Sequence, residues 1–251
     1  MATGTLTAEA RGRRSPAAAP PGTRIYAIGD SHGCTDALRA LHEVILQDRR
    51  AAPAVERSVV VYLGDYIDRG PCAREVLDIL IDRPLPDFEH IHLLGNHEAF
   101  LLAVLDGVRD ADVWLLNGGD ETLRSYGIRL SEIIGDPAVL RAALARNLPE
   151  AHERFLRGLG LSHVEGDYIF VHAGIRPGVA LDAQNPDDLL WIREPFLSSS
   201  LDHGKVVVHG HTPGRTPDQR ANRIGIDTGA CYGGRLTALV LEGTQRRFLQ
   251  V

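Results

Sequence analysis

Three short apolar runs recur at nearly constant spacing near the start of the chain, each closed by a residue able to bind a metal, and this recurrence constrains the fold more than any other feature. "RIYAIGD" ends at Asp30, "SVVVYLGD" at Asp65 and "HIHLLGN" at Asn96. Between them lie segments of helical period. Ala37, Leu38, Leu41, Val44 and Ile45 share one face, with Thr35 as the expected N-cap, and Val76, Leu77, Leu80 and Ile81 share another. The steps of 35 and 31 residues match one right-handed crossover unit each, which predicts three parallel, adjacent strands whose carboxyl ends point the same way. In open parallel sheets that edge binds ligands, because strand ends and helix N-termini deliver side chains and N–H groups there.

The middle of the chain, Ala99 to Leu159, reads as helical, with a loop expected at Asn117-Gly118-Gly119. Strands return after Gly160: "DYIFVHAG" reaches His172, "KVVVHGHTPG" reaches His209 and His211, and "NRIGIDTGA" precedes "RLTALVL" and "RRFLQV". At 251 residues and 44% hydrophobic, the chain can bury a full core, and residues 22–251 are expected to form one catalytic domain. Residues 1–21, rich in Ala, Pro and Arg and lacking an apolar stretch after "RGRR", are expected to be a disordered extension. The formal charge of -6, with Lys205 the only lysine, offers no basic field for nonspecific nucleic-acid binding. No apolar run approaches the roughly 20 residues that span a bilayer. Three cysteines (Cys34, Cys72, Cys231) without CxxC spacing argue against a disulfide framework and for a reducing, cytoplasmic setting.

Asp30, His32, Asp65, Asn96, His172 and His211 are thus expected at one sheet edge. Packed aspartates repel and take up protons, whereas divalent cations keep them ionised. Six donors exceed the four of a tetrahedral zinc site; shared between two ions about 3.5–4 Å apart, with one Asp bridging, they leave open positions.

The segments "GDSHG" (Gly29–Gly33), "GDYIDRG" (Gly64–Gly70), "GNHE" (Gly95–Glu98), "HAG" (His172–Gly174) and "HGHTP" (His209–Pro213) together resemble the ordered motifs of the calcineurin-like metallophosphoesterases. "GDYIDRG" with "GNHE" resembles the phosphoprotein phosphatases, in their bacterial serine/threonine phosphatase branch. The resemblance covers Arg24 to Val251. It implies an α/β fold of two mixed β-sheets packed as a sandwich and flanked by helices, in α/β/β/α layers. It also implies two divalent ions, Mn²⁺ being the first expectation with Fe or Zn²⁺ as alternatives. Asp30, His32 and Asp65 would hold the first, and Asp65, Asn96, His172 and His211 the second, with Asp65 as the bridge. His209 would not be a ligand. Pro213 stands where nuclease and phosphodiesterase relatives carry a further His, which points away from those branches.

By the same resemblance, Arg69 and, in a weaker motif, Arg193 would bind phosphate oxygens together with Asn96. His97 would be the general acid and Asp68 its partner. A metal-bridging hydroxide would attack phosphorus directly while His97 protonates the leaving oxygen. The implied substrate is phosphoserine or phosphothreonine in a protein. The alternatives are symmetrical dinucleoside polyphosphates such as diadenosine tetraphosphate and, more remotely, noncatalytic phospholigand binding. "WLLNGGDETLRSYG" (Trp114–Gly127) resembles the protein phosphatase branch. Tyr232 could border the site. Trp114 and Trp191 are expected in the core, Cys34 and Cys72 as small packing residues, and His42, His90, His92, His152, His163 and His203 as core or surface fillers.

Overall fold

The structure, a computed structural model, describes residues 16–133 and 136–251. Ten strands are described: β1 Thr23–Ile28, β2 Arg57–Tyr62, β3 Glu89–His92, β4 Ser162–Glu165, β5 Tyr168–Val171, β6 Val206–His209, β7 Asp218–Gln219, β8 Arg223–Gly225, β9 Thr237–Glu242 and β10 Gln245–Gln250. The α-helices are α1 Thr35–Ala51, α2 Ala73–Ile81, α3 Asn96–Leu105, α4 Ala111–Trp114, α5 Asp120–Ser125, α6 Pro137–Asn147, α7 Glu150–Arg157 and α8 Pro186–Trp191.

The strands form two five-stranded sheets in the orders β10-β9-β1-β2-β3 and β4-β5-β6-β8-β7. The three expected crossover strands, β1, β2 and β3, are adjacent and parallel, and Ile28, Tyr62 and His92 lie level across them. Antiparallel β9 and β10 extend that sheet on the β1 side. In the second sheet β5, β6 and β8 are parallel, with antiparallel β4 and β7 at the edges.

Period-two alternation divides the first sheet's side chains between two cores. Ile25, Ala27, Val59 and Val61 point toward the second sheet and meet Tyr168, Phe170, Val208, Ile224 and Ile226. Their neighbours Tyr26, Ile28, Val60 and Tyr62 point the other way, against Leu38, Leu41, Val76, Leu77 and Leu80 of α1 and α2. The second sheet's outer residues Ile169, Val171 and Val207 pack on Leu189, Ile192 and Phe196. The result is two mixed sheets flanked by helices, with the carboxyl ends of β1, β2, β3, β5 and β6 available to carry polar side chains. Among the described residues no helix is long and apolar enough to cross a membrane.

Three local expectations change. α1 begins at Thr35, so Cys34 is the cap residue and the Thr35 hydroxyl donates instead to the Cys72 carbonyl at 3.4 Å. The loop expected at Asn117-Gly118-Gly119 is a kink between two helical segments, where only Gly118, at φ 101°, leaves helical geometry. Ala18 and Ala19, within the segment expected to be disordered, are tied down. The Ala18 N–H donates to Asp167 Oδ2 at 3.0 Å and the Ala19 N–H to the Gly243 carbonyl at 2.8 Å, with the Ala19 side chain in the inter-sheet core. Residues 1–15 of that segment lie outside the described residues.

Candidate active site

Each strand end turns sharply. Asp65, Asp68 and Arg69 after β2, His32 after β1, and His211 after β6 all have φ between 40° and 68°. Non-glycine residues in this left-handed region cost roughly 1 kcal/mol or more each, so packing elsewhere in the fold holds them there. The turns bring side chains from five strand ends into one buried cluster. Asp30, His32, Asp65, Asn96, His172 and His211 are all buried.

Asp65 lies at the centre. His32, Asp65 and His97 form one group of potential ligand atoms lying within 4.8 Å of one another, and Asp65, His172 and His211 form a second. Asp65 is common to both. Asn96 joins the second group: its Oδ1 lies 2.8 Å from His172 Nε2 and 2.8 Å from His211 Nδ1. Asp30 stands beside them, with Oδ2 accepting the His211 N–H at 2.9 Å and Oδ1 buried without a partner. The approach of this carboxylate requires glycine at 210, where a Cβ would fall 1.9 Å from Asp30 Oδ1.

The donor set fits cations. His172 Nδ1 faces the Leu63 carbonyl at 2.9 Å, which makes Nδ1 the protonated nitrogen and leaves Nε2 as a lone pair facing two more acceptors, Asn96 Oδ1 at 2.8 Å and Asp65 Oδ1 at 3.4 Å. His32 repeats the arrangement: Nδ1 faces the Ile67 carbonyl at 2.8 Å, and Nε2 lies 3.4 Å from Asp65 Oδ2. At His172 and Asn96 lone pairs converge in a buried space with no hydrogen between them, and at His32 the Nε2 lone pair already takes a hydrogen from the Arg69 guanidinium; both places call for positive charge. Burial lowers His32 and His211 to about 3 and lowers His172 as well, so these rings remain neutral, ligand-ready imidazoles. Burial also pushes the Asp30 carboxyl well up, helped by Asp227 and Asp65. Divalent ions would reverse that rise.

The expected catalytic residues are in reach. His97 Nδ1 lies 2.6 Å from Asp68 Oδ2, leaving Nε2 toward the cluster, 3.9 Å from Asp65 Oδ2. Burial works to lower the His97 pKa, but Asp65 and Asp68 outweigh it and the net shift is upward. Arg69 Nη1 lies 2.8 Å from His32 Nε2, so a guanidinium already stands at the cluster's edge, stacked over the Tyr232 ring at 5.6 Å. Arg193, exposed at the end of α8, is close enough for its charge to act on His211 and Asp227. His209 faces away, toward Gly210 O and Arg223.

Several participants escaped the motif pattern. Asp227, just past the end of β8, is a further buried carboxyl, raised to about 6 by burial; the rule that strands here end in Asp would have found it. Glu98 accepts four backbone N–H groups, from Asp65 (2.9 Å), Tyr66 (2.8 Å), Ile67 (3.1 Å) and Gly95 (3.0 Å), and so clamps the β2 turn to the start of α3. Trp191 is not a core residue: it is 42% exposed, with its ring edge-on to His211 at 6.3 Å. Trp114 is core, as expected, but its indole N–H also reaches Asp68. Tyr232, 64% exposed, does border the site. The three cysteines are half-buried and free. Of the remaining histidines, His42, His90 and His92 surround Tyr62. His152 bridges Tyr126 and Asp78.

Comparison with known proteins agrees with this geometry. Residues 23–233 match the calcineurin-like phosphoesterase family. A relative described as serine/threonine-protein phosphatase 1, from Salmonella typhimurium, is 30% identical over 85% of this chain and 89% of its own length. A symmetrical bis(5'-nucleosyl)-tetraphosphatase from Methylobacillus flagellatus is 29% identical over 88% of this chain and 92% of its own. Among solved structures, one provisionally described as a diadenosine tetraphosphatase superposes with a TM-score of 0.64 at 23% identity, covering 93% of this chain and 96% of that one; at that identity it speaks for the fold alone. With the family match spanning every strand-end turn of the cluster, this chain belongs to the calcineurin-like phosphoesterases and is a metal-dependent phosphoric ester hydrolase.

Proposed function

We propose that the protein is a phosphomonoesterase acting on phosphoserine and phosphothreonine in proteins, with two divalent ions at the shared Asp65. The observation that carries this reading is the convergence on the Asp65 carboxylate of His32 and His97 in one group and of His172 and His211 in the other, with the Nδ1 of His97 tied to Asp68. Asp30, His32 and Asp65 would hold one ion, and Asp65, Asn96, His172 and His211 the other. When bound, such ions supply Lewis acidity, lowering the pKa of water from 15.7 toward about 7 and offsetting phosphoryl charge. Nitrogen and oxygen donors without thiolate suit Mn²⁺, Fe or Zn²⁺, and Mn²⁺ is the ion to load first.

The chain's own residues do the rest. Arg69 and Arg193 bind and orient the phosphoryl oxygens, a task for which the planar guanidinium fork is suited. Asp68 keeps the His97 Nδ1 protonated and its Nε2 directed into the site, and Nε2–H passes its proton to the leaving oxygen as the phosphorus–oxygen bond breaks.

Protein substrates are favoured by the resemblance of the Trp114–Gly127 segment to the protein phosphatase branch and by the Salmonella relative. Dinucleoside polyphosphates are the second reading, supported by the bis(5'-nucleosyl)-tetraphosphatase relatives and by Trp191 and Tyr232, two exposed rings at the lip able to stack on bases. The two separate in a side-by-side measurement with Mn²⁺-loaded protein. The expected result is a kcat/KM at least about tenfold higher on phosphoserine and phosphothreonine peptides than on diadenosine tetraphosphate. The reverse ratio moves the assignment to nucleotides, and tight phosphate binding without turnover on either moves it to a binding protein.

A further inference from the structure

Asp68 is held by more than its histidine. Its carboxylate accepts three hydrogen bonds in a fully buried position: from His97 Nδ1 at 2.6 Å and Trp114 Nε1 at 2.9 Å on Oδ2, and from Thr122 Oγ1 at 2.6 Å on Oδ1. The Thr122 hydroxyl accepts in turn from the Asp68 backbone N–H at 2.9 Å. Trp114 ends α4 and Thr122 lies in α5, 46 and 54 residues from Asp68, and both are fully buried. The turn between them adds a fourth tie, with the Gly118 carbonyl accepting the Arg69 N–H at 3.1 Å. A Cβ at 118 would stand 2.6 Å from that nitrogen.

We propose that Trp114 and Thr122 are positioning residues for proton transfer, two neutral donors that lock the Asp68 carboxylate in the orientation that accepts His97 Nδ1–H. Both oxygens are occupied from fixed directions, so the carboxylate cannot rotate, and the imidazole it orients cannot swing or exchange tautomers. The proton delivered is then the one on Nε2, which moves to the leaving oxygen as its bond to phosphorus breaks. Nδ1–H stays with Asp68, and the ring is left neutral. Neither side chain touches substrate. The short helical insertion therefore serves the chemistry: α4, the kink at Gly118 and α5 together close over the strained Asp68–Arg69 step, whose φ angles are 68° and 66°.

This inference rests on the reading of His97 as general acid, and leaving-group dependence tests the two separately. Loss of a positioned acid slows esters with a basic leaving oxygen and spares those with an acidic one. Thr122→Val keeps the side chain's shape and removes the hydroxyl, Thr122→Ser restores the hydroxyl, and Trp114→Phe removes only the N–H and part of the ring. With Mn²⁺-loaded proteins of equal metal content, kcat is measured on phenyl phosphate and on 2,4-dinitrophenyl phosphate, with His97→Ala alongside. Thr122→Val and Trp114→Phe are expected to lose about tenfold on phenyl phosphate and less than about twofold on the dinitrophenyl ester, the scale of one hydrogen bond to a charged group. Thr122→Ser should stay within about threefold of the parent on both, and His97→Ala should lose about a hundredfold on phenyl phosphate alone. If the Thr122 and Trp114 variants lose equally on both esters, or on neither, while His97→Ala shows the selective loss, the positioning role is overturned and the acid reading stands. If His97→Ala itself lacks selectivity, the acid reading falls and the positioning role with it. Should Trp114→Phe fail to fold, the Val and Ser pair at 122 decides alone.

Discussion

Replacing Asp65 by asparagine should reduce kcat by at least about a thousandfold while leaving the fold intact. The substitution is isosteric, and the Asp65 interaction that supports the backbone, acceptance of the His97 N–H by Oδ1 at 3.1 Å, is available to an amide oxygen. The left-handed φ of 52° is also one that Asn adopts at least as readily as Asp. What disappears is one unit of negative charge shared by both ligand groups. With Mn²⁺ the parent should gain stability by mass action and the variant should not. A variant retaining a tenth or more of the parent's kcat would show that Asp65 is not the shared ligand.

Glu98→Ala should destabilise the metal-free protein by about 4 kcal/mol or more, because it strands four buried N–H donors at about 1–3 kcal/mol each before relaxation. No water-exposed alternative exists for these groups, since the side chain and the Gly95–Glu98 turn are buried. Burial and the Asp65 carboxylate raise the Glu98 pKa, and the N–H donors of Ile67 and Tyr66 oppose that rise. Urea unfolding of the two metal-free proteins measures the difference. A loss below about 1 kcal/mol would mean that the β2 turn is held by other contacts. The same variant should lose activity through misplaced Asp65 and Asp68, so its effect on the site is indirect.

What could be read from the chain beforehand was what local periodicity encodes. The change from period two to helical spacing after Asp30, Asp65 and Asn96 marked three strand-to-helix junctions, and the crossover length made them neighbours; β1, β2 and β3 are indeed parallel and level. Nothing in the apolar pattern distinguished one sheet from two. Ile25 faces the second sheet and Tyr26 the helices, but both are simply hydrophobic in sequence, so the sandwich came from the motif resemblance. Trp114 and Thr122 lie 46 and 54 residues from the carboxylate they hold, a distance no local signal spans. Glu98 was visible as a residue three places after Gly95, yet its four donors come from two strand ends that meet only in the fold. Trp191, an aromatic next to Leu189 and Leu190, was expected in the core, and it lies at the lip because that short helix ends where the site opens. The packing of Ala18 and Ala19 rests on backbone hydrogen bonds, to which an Ala/Pro-rich composition gives no clue.

The central claim is that buried lone pairs around Asp65 exist to hold a pair of cations. Elemental analysis of the purified, active protein, coupled with anomalous X-ray scattering from its crystals, tests this most directly. The account predicts two divalent ions per chain, one on each side of the Asp65 carboxylate, and activity that vanishes on chelation and returns with Mn²⁺. Full activity in metal-free protein, or ions bound away from Asp65, would contradict it.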